Sequence, residues 1–180
     1  MGTTKYIDNE AFLRALILYR KEVKVAKKSK TEKPPLSDEI GLCFLKIADH
    51  LSRKPCFVAY SFREEMISDA VENCIQYVDN FDPERSQNPF SYFTQIIYFA
   101  FLRRIAKEKK QLYIKYKATE LFNLTNDNPL HGNNDDAGLN QPIYENITEF
   151  IHTYEKTRED KKKLQKKKAK KLKGLDKFLE

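Results

Sequence analysis

The sequence lacks any apolar run near the roughly 20 residues that a membrane-spanning helix requires, so no membrane partner is expected. It also lacks a signal-peptide start, because Met1-Gly2-Thr3-Thr4-Lys5 leads straight into an amphipathic pattern. Tyr6 stands where N-myristoylation would need Ser or Thr. Cysteine is scarce: Cys43, Cys56 and Cys74 are odd in number and without metal-ligand spacing, and the first and last fall on apolar helix faces as reduced core thiols would. No Gly-rich phosphate cradle is present, and His50, His131 and His152 have no Asp, Ser or Cys partner at a recognisable spacing. The expectation is a protein without a catalytic centre, cofactor or metal. Glu108-Lys109-Lys110 is similar to part of a nuclease motif, but it falls on a helix rather than a strand and is charge pattern.

Strand signals are scarce too, and what remains is helical periodicity. Asp8 or Asn9 caps a first helix with the stripe Phe12, Leu16, Tyr19, Val23 and Ala26. A polar segment closed by Pro34-Pro35 follows. Ser37 caps a second helix that buries Ile40, Cys43, Phe44, Ile47 and Leu51, and a loop around Pro55 leads to Ser61. These elements read as an all-α helical bundle.

The stretch Glu65 to Lys110 reads as helix, turn, helix. Ser61 and Glu64 have capping-box spacing, and Ile67, Ala70, Val71, Cys74, Ile75, Val78 and Phe81 recur at three and four residues. On the opposite side Glu65, Asp69, Glu72 and Gln76 stack as an acidic stripe. Pro83 ends that helix, and Asn88-Pro89 starts the next. This second helix has more apolar side chains than one buried stripe can hold. Phe93, Ile96, Ile97, Ala100 and Ile105 suit a core face, leaving Tyr92, Phe99 and Leu102 beside Gln95 and Arg103 on a flank. Arg103, Arg104, Lys107, Lys109, Lys110, Lys115 and Lys117 then face the single acid Glu108. Aromatics running into cations suit single-stranded nucleic acid, with rings for bases and charges for phosphates. A crowded core followed by a solvated helix end, where cations are favoured anyway, gives the same pattern.

Glu65-Met66-Ile67-Ser68-Asp69-Ala70, Val78-Asp79-Asn80-Phe81-Asp82, Phe90-Ser91-Tyr92-Phe93-Thr94 and Arg103-Arg104-Ile105 resemble, in order and without gaps, conserved region 2 of bacterial RNA polymerase sigma factors. More narrowly, the chain resembles the late-transcription sigma factors of T-even-type bacteriophages from about Asp38 to Lys117, with a further echo near Glu180. The resemblance implies an all-α bundle of sigma region 2 type with a flexible basic C-terminal tail. It also implies that Glu65, Ser68, Asp69, Glu72 and Gln76 contact the beta-prime clamp coiled coil of host core RNA polymerase. The following helix would bind and open a minus-ten promoter element through Tyr92, Phe93, Gln95, Ile96, Ile97, Phe99, Arg103, Arg104, Lys107, Lys109 and Lys110. Phe93 matches the aromatic that stacks on a base flipped from the non-template strand, an act that costs a few kcal/mol of stacking and pairing. Primary sigma factors carry a Trp pair where this chain has Ile96 and Ile97, and this chain has no Trp. Tyr92, Tyr98 and Phe99 are the alternatives for opening the duplex. Ala100 offers a base edge no side-chain hydrogen bond, so Arg103 and Arg104 are the better readers.

Thr125 to Pro142 holds five Asn, three Asp, two Gly and two Pro and reads as a long flexible loop, without the closing Glu of a calcium site. Ile143, Ile147, Phe150, Ile151 and Tyr154 mark a short amphipathic helix. Lys156 to Lys173 carries eleven basic residues against two acids, and residues 1–155 hold 21 basic and 22 acidic side chains, so the formal charge of +7 arises in the tail. The tail either attracts phosphates in a salt-dependent way or is a solvated, frayed helix. In Gly174 to Glu180, three large apolar residues, Leu175, Phe178 and Leu179, suit a docking peptide. The phage factors end in a Leu-Asp-Phe-Leu-like peptide that binds the DNA sliding clamp; here Lys177 is inserted between Asp176 and Phe178. No second helix-turn-helix is visible after Lys117, which fits recruitment by a clamp.

The expected organisation is an N-terminal helix and linker (1–36), a sigma-region-2-like domain (37–124), a flexible loop (125–142), an amphipathic then lysine-rich helix or tail (143–173) and a clamp-binding peptide (174–180). The expected function is a non-enzymatic promoter-specificity subunit acting in the cytoplasm of an infected bacterium, with core polymerase, promoter DNA, the sliding clamp and a phage co-activator as partners. The alternative is a basic helical single-strand-binding or clamp-adaptor protein that does not touch polymerase.

Overall fold

A computed structural model describes residues 6–125 and 137–176, with side chains over 6–122 and 145–167. Among the described residues the chain is all-helical, without a strand: α1 Asn9–Ser29, α2 Asp38–Ser52, α3 Pro55–Val58, α4 Arg63–Tyr77, a 3-10 turn Val78–Asn80, α5 Pro89–Thr125 and α6 Ala137–Asp176. Two compact units divide it, Met1–Ala106 and Lys107–Glu180, and α5 contributes to both. No helix among the described residues is long and apolar enough to cross a membrane.

In the first unit, α1 starts where the Asp8 carboxylate accepts the N–H groups of Glu10 and Ala11 at 2.9 and 3.3 Å. It ends at Lys30, whose φ of 53° is left-handed and whose N–H donates to the Ala26 carbonyl. Phe12, Leu16, Tyr19 and Val23 are buried as the spacing predicts, with Ala26 at the edge. In α2, Ile40, Phe44, Ile47 and Leu51 are buried and Cys43 is half-buried; Ser37 occupies the N-cap without a side-chain bond.

Two local expectations change. The loop around Pro55 is the short helix α3, with Pro55 in its first turn, where a missing N–H costs nothing, and Phe57 anchoring it in the core. Ser61 does not cap α4: the helix begins at Arg63 with Phe62 in the N-cap position and no side-chain bond. The buried face of α4 is Met66, Ala70 and Cys74, with Ile67 and Val71 at its margin and Ile75 exposed.

The centre is aromatic. Phe12, Phe44, Phe81 and Phe93 meet with ring centroids 4.6 to 5.9 Å apart, tilted or edge-on, the arrangements ring quadrupoles favour. The turn between α4 and α5 is pinned from outside by Arg20, which donates to the Phe81 carbonyl at 2.5 Å and to Asp82 at 3.0 Å. Asn88 then caps α5 by accepting the Ser91 N–H at 3.1 Å, and Asn9 accepts that of Phe90 at 3.2 Å, so two of the free N–H groups at this end are satisfied.

In the second unit the later part of α5 and α6 run antiparallel: Tyr113 stacks on Tyr154 and Tyr116 meets Phe150 edge-on. Ile151 is buried, while Phe150 and Tyr154 are half-buried. Helix α6 begins at Ala137, inside the segment 125–142 that its Asn, Asp and Gly content marks as loop, and Thr125 is the last residue of α5. Four of the five Asn lie in 126–136, outside the described residues, so the average over the whole segment understates the helical character of its second part.

Candidate functional site

The acidic stripe of α4 is mostly accessible. Glu65, Ser68, Glu72 and Gln76 are exposed, and the Gln76 amide donates to Glu72 at 3.2 Å. Ser68 turns its hydroxyl back to the Glu64 carbonyl at 3.0 Å. Asp69 differs from its neighbours. It is half-buried and its carboxylate accepts Arg104 of α5 at 3.1 and 3.4 Å, so a partner that used this carboxylate would have to displace an arginine.

On α5 the structure divides the residues expected to meet DNA. Phe93 and Ile97 have no exposed surface, and Phe93 sits among the rings of Phe12, Phe44, Phe81 and Tyr92. A base cannot stack on a ring both of whose faces are packed, so the receiving aromatic expected at Phe93 is corrected to a core residue. Ile97 is corrected in the same way. Ile96 and Tyr92 are half-buried, Tyr92 against Phe81 and Phe93.

Gln95, Phe99 and Arg103 follow one another at four-residue spacing and all three are exposed, so they form one stripe along the outside of the helix. Phe99 is 48 % exposed, and Tyr98 and Leu102 beside it present 42 % and 41 % of their surface. Tyr98 leans on Phe57 and on Phe99 with centroids 5.8 and 5.9 Å away, which limits its freedom without covering it. A polar side chain, an open aromatic and a guanidinium thus line up where Phe93 faces inward. Leu102, on the flank its spacing suggests, and Tyr98, one of the alternatives for opening the duplex, extend the face. Asn73 of α4 is a further participant: its amide oxygen accepts Arg103 at 2.6 Å. Its place one turn after Asp69 was visible in the sequence, but the partner 30 residues away was not.

Cys74 of α4 is fully buried, and burial pushes its thiol pKa up to about 12. It is a core residue rather than a reactive one. Cys43 is raised in the same direction by burial, and Cys56 is exposed.

In the second unit Lys107, Lys109 and Lys110 are exposed. Lys117 is taken up by acids, with Glu120 at 3.0 Å and Glu155 at 3.4 Å. Glu155 also accepts the Tyr113 hydroxyl at 2.8 Å, and that bond, followed by Lys117, holds its carboxyl below the ordinary glutamate range. The exposed lysines Lys156, Lys161, Lys162, Lys163, Lys166 and Lys167 make α6 a cationic rod. Leu175 lies in the last turn of α6, but its side chain, together with Phe178 and Leu179, lies outside the described residues. No protein-family model matches the chain, and no curated protein matches it. The class that fold and site define is an all-helical protein with an acidic-polar stripe on α4 beside an aromatic and basic stripe on α5.

Proposed function

We propose that the chain is a sigma-type promoter-specificity subunit. Its α4 stripe docks on host core RNA polymerase, and the outer face of α5 engages the non-template strand of a minus-ten-type late promoter element. The observation that carries this reading is the exposed line Gln95, Phe99 and Arg103 on α5. An open ring receives an unstacked base, and a cation one turn on meets a phosphate. Phe99, with Tyr98 next to it, takes the part that the resemblance assigns to Phe93 and to the missing Trp pair. Glu65, Ser68, Glu72 and Gln76 supply the polymerase contact, while Asp69 holds the two helices together. The lysines of α6 add sequence-independent attraction to DNA, and Leu175, Phe178 and Leu179 tether the protein to the sliding clamp.

The test is retention of a forked DNA with an A/T-rich single-stranded overhang by bacterial core polymerase, challenged with heparin. Core plus the chain retains the DNA and core alone does not. Equal retention without the chain contradicts the proposal. Removal of Leu175 to Glu180 leaves this retention intact and abolishes stimulation by the clamp. A protein that binds single strands but gives no polymerase-dependent retention is instead a basic single-strand-binding or clamp-adaptor protein.

A further inference from the structure

Arg103 and Arg104 are adjacent in sequence but meet chemically different partners. Arg104 is paired with the Asp69 carboxylate at 3.1 Å and its side chain is only 18 % exposed, so its charge is compensated within the protein. Arg103 donates to the amide oxygen of Asn73 at 2.6 Å, and an amide orients a guanidinium without cancelling its charge. Asn73 is itself held, because its side-chain N–H donates to the Asp69 backbone carbonyl at 2.5 Å, which turns the amide oxygen toward Arg103. A guanidinium has five donors, and this bond uses one of them. Arg103 is exposed, and the open ring of Phe99 lies one turn before it on the same stripe.

We infer that Asn73 is a positioning residue that holds Arg103 as the phosphate contact for a single-stranded DNA segment stacked on Phe99, and that Arg104 with Asp69 joins the helices and does not touch the DNA. The inference rests on the nucleic-acid part of the function proposed above. It explains why the position facing Arg103 carries an amide: a carboxylate there would bind the arginine more strongly and remove the charge that the phosphate needs.

The experiment measures fluorescence anisotropy of the full chain with a fluorescein-labelled single-stranded DNA of about 20 nucleotides, longer than the ~4–16 nucleotides of a comparable single-strand site, over a series of salt concentrations. Arg103→Ala weakens binding about three- to tenfold and lowers the salt slope by about 0.7, the signature of one lost phosphate contact on a single strand. Asn73→Asp produces the same loss and the same fall in slope, because a carboxylate facing Arg103 neutralises the charge that the phosphate needs, even as the amide's own bond to the Asp69 carbonyl is given up. Asn73→Asp added to Arg103→Ala brings no further fall in the salt slope, a result that a merely structural role for Asn73 does not produce. Asn73→Asp with unaltered affinity, or with an affinity loss at an unchanged salt slope, overturns the inference while leaving the Arg103 contact in place. Full affinity of Arg103→Ala overturns both the inference and the nucleic-acid part of the proposed function.

Discussion

Asp69 on α4 and Arg104 on α5 are joined at 3.1 Å across the two helices that carry the candidate site, with the arginine four-fifths covered. A carboxylate in an otherwise accessible stripe is thereby committed to the fold. Asp69→Ala removes the carboxylate that joins this largely covered guanidinium to α4, and the expected cost is about 1–2 kcal/mol, between that of a surface pair and that of a buried one. Denaturant unfolding checks this. Glu65→Lys and Glu72→Lys change exposed positions, and each is expected to stay within about 0.5 kcal/mol of the unaltered chain. A loss for either glutamate as large as that for Asp69 contradicts the division between fold and surface.

Phe93 and Phe99 lie six residues apart on one helix, the first enclosed in the core and the second open to solvent. Phe93→Ala empties the aromatic centre and is expected to cost about 3–5 kcal/mol. Phe99→Ala leaves stability within about 0.5 kcal/mol and removes a stacking surface whose loss weakens single-strand binding by about 1 kcal/mol or more. Melting curves and anisotropy titrations on the two variants separate the effects. Destabilisation by Phe99→Ala with unchanged binding contradicts the assignment.

The cysteines report on the same core. Only the thiolate attacks a disulfide reagent, and a pKa pushed up to about 12 leaves Cys74 almost entirely protonated at neutral pH as well as enclosed. Exposed Cys56 should react first, half-buried Cys43 more slowly, and Cys74 only when the unit opens. Thiol labelling followed by peptide mapping gives the order. Rapid modification of Cys74 in the native chain contradicts the packing of α4.

The hairpin of α5 and α6 should respond to acid. The Tyr113 hydroxyl, then Lys117, depress the Glu155 pKa, so the stabilisation from this carboxylate is present above the ordinary glutamate range and is lost as pH falls through the lowered value. Tyr113 and Lys117 are shifted upward, Tyr113 by Glu155 and Lys117 by Glu120 and then Glu155, so their contributions hold below their usual ranges and fade as pH rises past them. Tyr113→Phe removes the donor. Carboxyl NMR should find Glu155 titrating at lower pH in the unaltered chain than in this variant, and equal values contradict the contact.

Much of the first unit was legible from its residues because its helices are amphipathic in one phase. The stripe of α1, the stripe of α2 and the caps at Asp8 and Asn88 follow from spacing alone. On α4 the phase was ambiguous: Met66, Ala70 and Cys74 share their spacing with Ile67, Val71 and Ile75 one residue on, and packing against α2 decided between them. Helix α5 is apolar on too many sides for periodicity to say which ring turns inward, so neither the burial of Phe101 nor the inward turn of Phe93 can be read from its spacing. The Arg103–Asn73 and Arg104–Asp69 pairs span 30 and 35 residues and depend on how two helices cross, which no local pattern encodes.

The central claim is tested most directly by size-exclusion chromatography of the full chain with bacterial core RNA polymerase at moderate salt, beside the Glu65→Lys, Glu72→Lys double variant. That variant keeps the Asp69–Arg104 pair and makes the chain more basic, so nonspecific attraction to the acidic surfaces of a large assembly can only increase. The account predicts that the unaltered chain elutes with polymerase and the variant elutes alone. Elution of both with polymerase, or of neither, contradicts a sigma-type contact through α4.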